Sequence, residues 1–177
     1  MRLELVDQRT RPAATALGSD ALALLVAPLG RPEWWLNLVL VDDDQMGDLN
    51  RRWYGGQGPT DVLSFSYLEA AGEGAAALPA GEAGAACDLW LDAADATEDF
   101  VAGEVIVAPG FVADRCAREG WNLEDEWALL LVHGALHVLG WTHETDALRR
   151  DMQAREAGLL QAAGITHPLL RTAEEDS

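Results

Sequence analysis

Three of the four histidines in this 177-residue chain fall within eleven positions, in the segment VHGALHVLGWTH (132–143). His133 and His137 are four apart inside NLEDEWALLLVHGALHVLG, the strongest helical pattern in the sequence. Their imidazoles therefore project from one face, a turn apart, and can reach one cation at about 2.0–2.1 Å. A third imidazole from the next turn of the same helix would meet that cation with poor geometry, so the chain must reverse. Gly140 permits the reversal, because glycine takes a positive φ without steric cost, and His143 follows three residues later. The pattern H-x-x-x-H-x-x-G-x-x-H thus predicts a helix, a glycine stop and a returning loop around one metal ion. Three protein ligands leave one tetrahedral position open, which is the arrangement of a catalytic zinc; structural zinc is usually closed by four ligands, often with cysteine. Cys87 and Cys116 lie away from this motif with no C-x-x-C spacing and read as ordinary thiols of a reducing compartment. His167, isolated in ITHPLL, reads as a satisfied core or surface histidine.

The rest of the chain predicts what that helix packs on. MRLELV reads as a short first strand, PAATALGSDALALLVAPLG as a helix, and EWWLNLVLV (33–41) as a central strand covered on both faces. Asp42 is a candidate N-cap for DDQMGDLNRRW. After the turn YGGQGP, the segment TDVLSFSY alternates Val62, Ser64 and Ser66 with Leu63, Phe65 and Tyr67, a strand with one apolar face and one small or polar face. GEVIVAP is the next strand, and Pro109 opens the helix GFVADRCAREG. Asn122 caps the histidine helix, with Glu124, Asp125 and Glu126 complementing its dipole. ETDALRRDMQAREAGLLQAAG carries an apolar stripe at Ala147, Leu148, Met152, Leu159, Leu160 and Ala163. The fold class is α+β, a small mixed sheet of about four strands packed against several helices, with the three-histidine zinc site at the end of a central helix. Residues 1–167 form a single domain, interrupted at about 68–99 by an irregular Ala/Gly/acid-rich insertion with a short strand at CDLWL (87–91). Residues 168–177 are a C-terminal tail.

Composition limits the function classes. No segment reaches the roughly 18–20 apolar residues of a membrane span and MRLELVDQRT has no apolar signal core, so a cytoplasmic protein is expected. Thirty acidic residues against twelve arginines, with no lysine, give a formal net charge of -18. That argues against indiscriminate nucleic-acid binding. The histidine spacing also occurs in metzincin proteases, but those carry their general-base glutamate directly after the first histidine, where this chain has Gly134.

HGALHVLGWTHE, PTDVLSFSY and GEVIVAP, in this order along the chain, resemble the YbeY family of bacterial zinc-dependent endoribonucleases, also described as rRNA maturation factors. LVDDDQMGDLN before the Gly-rich turn, and Met152 and Glu156 in the final helix, fit the same pattern, so the resemblance covers most of the chain. It implies an α+β fold, one zinc ion held by His133, His137 and His143, and cleavage of single-stranded RNA in 16S rRNA 3'-end maturation and ribosome quality control. The partners it implies are rRNA and the ribosome or ribosomal proteins.

Two positions depart from the family pattern. Tyr54 stands where the family presents an arginine, and Thr142 where an aspartate precedes the last histidine. Arg51, Arg52, Tyr54 and Ser64 are expected to contact substrate. Glu144 and Asp146, just beyond the third ligand, are the acid/base candidates, and the attacking group is either water or the RNA 2'-hydroxyl. Arginines 115, 118, 149, 150 and 155 are expected to offset the acidic surface around a cleft. Two alternatives stay open: a ribosome-associated binding factor with structural zinc, and a zinc hydrolase of another substrate class.

Overall fold

A computed structural model describes residues 1–11, 15–68 and 100–170. Strand β1 (Arg2–Asp7) pairs in parallel with β2 (Trp34–Leu40), which pairs in parallel with β4 (Phe100–Val107); β3 (Val62–Ser66) closes the sheet antiparallel to β4. The order β1-β2-β4-β3 makes β2 and β4 interior strands, in keeping with the run at 34–40, apolar except for Asn37. Leu36, Leu38 and Leu40 face the main core, while Val39 and Ile106 face a second cluster with Met46 and Leu63 on the other side of the sheet.

Five α-helices are present among the described residues. Helix α1 (Ser19–Val26) is shorter than the sequence pattern suggests: its first ladder bond starts from the Gly18 carbonyl, and it closes with the Ala27 N–H on the Ala23 carbonyl, just before Pro28, which has no N–H to continue the ladder. In α2 (Asp43–Tyr54) the Asp42 N–H donates to the Gln45 side chain at 3.0 Å, half of a capping box. Pro109 opens α3 (Pro109–Glu119) at its first position. The Asn122 side chain accepts from the N–H groups of Glu124 and Asp125 at 2.8 and 3.0 Å, starting α4 (Leu123–Val138). Thr145 caps α5 (Asp146–Ala162) in the same way.

Helix α4 is the hub, touching α1, α3, α5, β3 and β4. Trp127, Leu131 and Leu136 are almost completely buried, each worth about 1.5–3 kcal/mol of transfer free energy on the usual scale. The small face of β3 is the one turned toward α4: Ser66 Oγ donates to the Val138 carbonyl at 2.8 Å, while Leu63 and Phe65 pack into the second cluster. Gly134 completes this contact. A Cβ there would sit 2.7 Å from Val105 Cγ1 and 3.0 Å from Ser64 Oγ, so helix and sheet approach too closely for any side chain.

Glu126 lies in the first turn of α4 as expected, and it is in addition buried, 1% exposed, within 3.5 Å of Arg115 and 2.7 Å of His167. Two expectations are corrected. The buried face of α5 is Met152, Glu156 and Leu160, with Ala147 and Ala163 exposed. Pro168–Leu170 form a 3-10 turn, and Leu170 packs on the core, so the structured domain runs past residue 167. Residues 69–99, including the strand expected at 87–91, and 171–177 lie outside the described residues. No helix among the described residues is long and apolar enough to cross a membrane.

Candidate metal centre

The site forms where α4 stops. Gly140 has φ +89°, its N–H bonds the His137 carbonyl at 3.0 Å, and the Trp141 N–H bonds the Leu136 carbonyl at 3.0 Å. This pair of bonds is a Schellman closure, which turns the chain sharply back beside the helix it has just left. His143 is thereby returned to the other two histidines, and one ring nitrogen from each of His133, His137 and His143 lies within 4.8 Å of the others.

The other ring nitrogens fix which atoms face inward. His137 Nδ1 lies 2.8 Å from the Trp141 carbonyl oxygen, an atom that can only accept, so Nδ1 carries the proton and Nε2 presents a lone pair. His133 Nδ1 lies 2.6 Å from Glu156 Oε1, which orients that ring likewise. The two Nε2 atoms then face each other at 3.1 Å. Two lone pairs at that distance repel unless a cation lies between them; ligands at about 2.05 Å around a tetrahedral zinc stand roughly 3.3 Å apart. The donor set therefore fits a zinc ion held through Nε2 of each anchored ring. Burial, reinforced by the neighbouring imidazoles of His133 and His143 and opposed by the Trp141 carbonyl, pulls His137 down to about 4, so it is neutral and able to ligate at neutral pH. His143 is exposed and gives the centre a side open to solvent.

His133 and His143 border a cavity of about 450 Å3 that runs along α4 between α5 and the end of β3. Glu156 and Arg149 of α5 also line it, as do Arg115 and Asp61 at its far end. That end is a cluster of charged and polar groups in which the Glu126 oxygens and His167 Nε2 are buried without a hydrogen bond. Arg115 pairs with Asp61, approaches Glu126 at 3.5 Å and stacks over Trp121 at 4.9 Å, and Glu126 meets His167. His167 is a core histidine, 3% exposed, but only half satisfied: Leu169 N–H donates to its Nδ1 at 3.2 Å, while its buried Nε2 makes no hydrogen bond and lies 2.7 Å from Glu126 Oε2.

The remaining expected site residues stand apart from this cavity. Arg51 pairs with Asp48 at 2.9 Å and Arg52 lies over Trp53 at 5.3 Å, both on α2. Tyr54 donates from its hydroxyl to the Ser64 carbonyl at 3.1 Å, and the Ser64 hydroxyl faces Gly134. Glu144 and Asp146 are exposed, on the turn after His143 and at the first position of α5. None of these six lines the cavity. Sequence reasoning noted Glu156 without giving it a role. Its signal was a lone carboxylate in the slot midway between Met152 and Leu160, where the helical period demands a buried residue.

The family model described as Endoribonuclease YbeY matches residues 14–164 of the chain. A protein from Salinispora tropica named Endoribonuclease YbeY is 38% identical over 71% of this chain and 71% of its own length. Proteins of the same name from Anaeromyxobacter sp. and Moorella thermoacetica are 33% and 35% identical, over 97% and 92% of this chain and 76% and 88% of their own.

Proposed function

The chain belongs to the endoribonuclease YbeY family, and on that premise we propose that it is a zinc-dependent endoribonuclease specific for single-stranded RNA. Its place is the cytoplasm, in maturation of the 16S rRNA 3' end and in ribosome quality control. The observation that carries the reading is the convergence of the His133 and His137 Nε2 atoms, with His143 beside them, at one wall of an open cavity. One catalytic domain, running past residue 167, carries this chemistry.

When bound, one zinc ion supplies Lewis acidity toward a phosphodiester oxygen and toward water. The chain's own residues do the rest. Glu156 and the Trp141 carbonyl hold two imidazoles in the tautomer that ligates, and an unpaired strand reaches the cluster through the cavity bordered by His133 and His143. Glu144 and Asp146 accept and return protons from the solvent side of His143. Arg51, Arg52 and Tyr54 guide the strand along the α2–β3 edge, with Ser64 acting through its carbonyl, which accepts from the Tyr54 hydroxyl. The ribosome supplies proximity that a chain of net charge -18 does not obtain from bulk attraction.

A peptidase reading is disfavoured at Gly134, where packing on Val105 leaves no room for a carboxylate. A second reading, a ribosome-associated binding factor with structural zinc, is favoured by one observation: the α2 arginines are engaged on their own helix. Incubating zinc-loaded protein with single-stranded RNA of the 16S 3' end, beside the same sequence in duplex, separates these. The wild type is expected to cleave the single strand, and His137→Ala to lose zinc and cleavage together. Cleavage at the wild-type rate by metal-free His137→Ala would sink the zinc mechanism, and RNA binding without cleavage would favour the binding factor.

A further inference from the structure

We propose that Arg149 holds a backbone phosphate of the RNA strand beside the histidine cluster and so positions the strand; this rests on the endoribonuclease reading above. Helix α5 turns Arg149, Met152, Gln153 and Glu156 into the cavity, a spacing of three, four and seven that defines one helical face. Met152 and Glu156 are buried and Glu156 bonds His133, so the face is fixed relative to the imidazoles. Arg149 sits two turns nearer the start of the helix, about 10 Å along the axis from Glu156. It therefore borders the same space as His133 and His143 from a rigid element.

The two arginines of the cavity differ in what they can still bind. Arg115 is compensated by Asp61 and Glu126 and covered by Trp121. Arg149 is exposed and has no carboxylate within ion-pair distance among the described residues. The adjacent Arg150 is otherwise occupied, donating to the Asp146 carbonyl. A guanidinium with its donors unspent, facing a metal centre in a strongly acidic chain, suits bidentate contact with a phosphate. It adds a fixed cation where the strand must lie, without a basic surface that would bind nucleic acid everywhere.

The test measures binding of a short fluorescein-labelled single-stranded RNA to the zinc-loaded protein by anisotropy, from about 50 to 200 mM salt, with intact probe verified on a gel and cleavage assayed in parallel. Variants are R149Q, which keeps size and removes charge, and R155Q, an exposed arginine of the same helix that does not line the cavity. For R149Q the expected results are about tenfold weaker binding, a log–log salt slope reduced by about 0.7, and a raised KM with kcat nearly retained. R155Q is expected to follow the wild type. An R149Q slope equal to wild type, or an equal loss in R155Q, overturns the assignment while wild-type cleavage leaves the endoribonuclease reading standing. Wild-type protein that binds no RNA overturns both. Arg149-dependent binding without cleavage supports the assignment and removes the endoribonuclease reading.

Discussion

Glu156 Oε1 lies 2.6 Å from His133 Nδ1, so a carboxylate on α5 sets the orientation of a ligand on α4. Partners of this kind raise the basicity of a metal-bound imidazole, and their loss typically costs 10–100-fold in metal affinity. Glu156→Gln keeps an acceptor oxygen but removes the charge; Glu156→Ala removes both. Zinc affinity, measured by competition with a chromophoric chelator, is expected to fall in the order wild type, Gln, Ala, with the alanine variant about 10–100-fold weaker. Unchanged affinity in both variants would mean that Glu156 is only a packing residue.

Gly134→Ala places a methyl group 2.7 Å from Val105 Cγ1 in a helix–sheet contact already closed. Overpacking of this kind costs about 1–3 kcal/mol, and for a domain of this size each kcal/mol lowers Tm by about 2–4 °C. Thermal melting should show a loss of several degrees. A variant as stable as wild type would show that α4 can lift from the sheet without cost.

The parts of this protein legible in the sequence were those written in local periodicity. The four strands, the capped α4 and the glycine that returns His143 each follow from spacing or from one residue's conformational preference. Long-range pairings were not legible. Glu124, Asp125 and Glu126 are indistinguishable in the sequence as partners of the helix dipole; only the approach of Arg115 and His167 separates Glu126 from the other two. Glu156 had a visible anomaly, a charge at a buried helical position, but its partner is 23 residues away. Ser64 and Ser66 were legible as the small or polar face of β3, but not what that face meets: small residues there let α4 sit close.

Tyr54 is 59% exposed and its hydroxyl donates to the Ser64 carbonyl, so the bond contributes little to folding, on the order of 0.5 kcal/mol. Tyr54→Phe is therefore expected to melt within a degree or two of wild type. Tyr54→Arg adds a cation at the α2–β3 edge, and if the strand passes there its salt slope of RNA binding should steepen by about 0.7. An unaltered slope would place the strand elsewhere and remove Tyr54 from the substrate path.

Glu126 and His167 face each other in the core with Nε2 and Oε2 2.7 Å apart, and burial acts on both. It pushes Glu126 above its ordinary 4.5, opposed by Arg115 and aided by Asp61. It pulls His167 below its ordinary 6.5, opposed by Asp125 and aided by Arg115. The signs differ. Above pH 4.5 folded Glu126 keeps a proton that the unfolded chain has lost, so its contribution is complete below 4.5 and is lost as pH rises through the folded value. Below pH 6.5 the unfolded chain binds a proton that folded His167 refuses, so that contribution is complete above 6.5 and is lost as pH falls. Urea unfolding from pH 4 to 8 of wild type, Glu126→Gln and His167→Gln isolates each effect. The stability of wild type relative to Glu126→Gln should decline as pH climbs past 4.5, and relative to His167→Gln it should increase up to 6.5. A difference running the other way in either comparison would mean that the pair is held as an ion pair, with Arg115 overcoming the cost of burial.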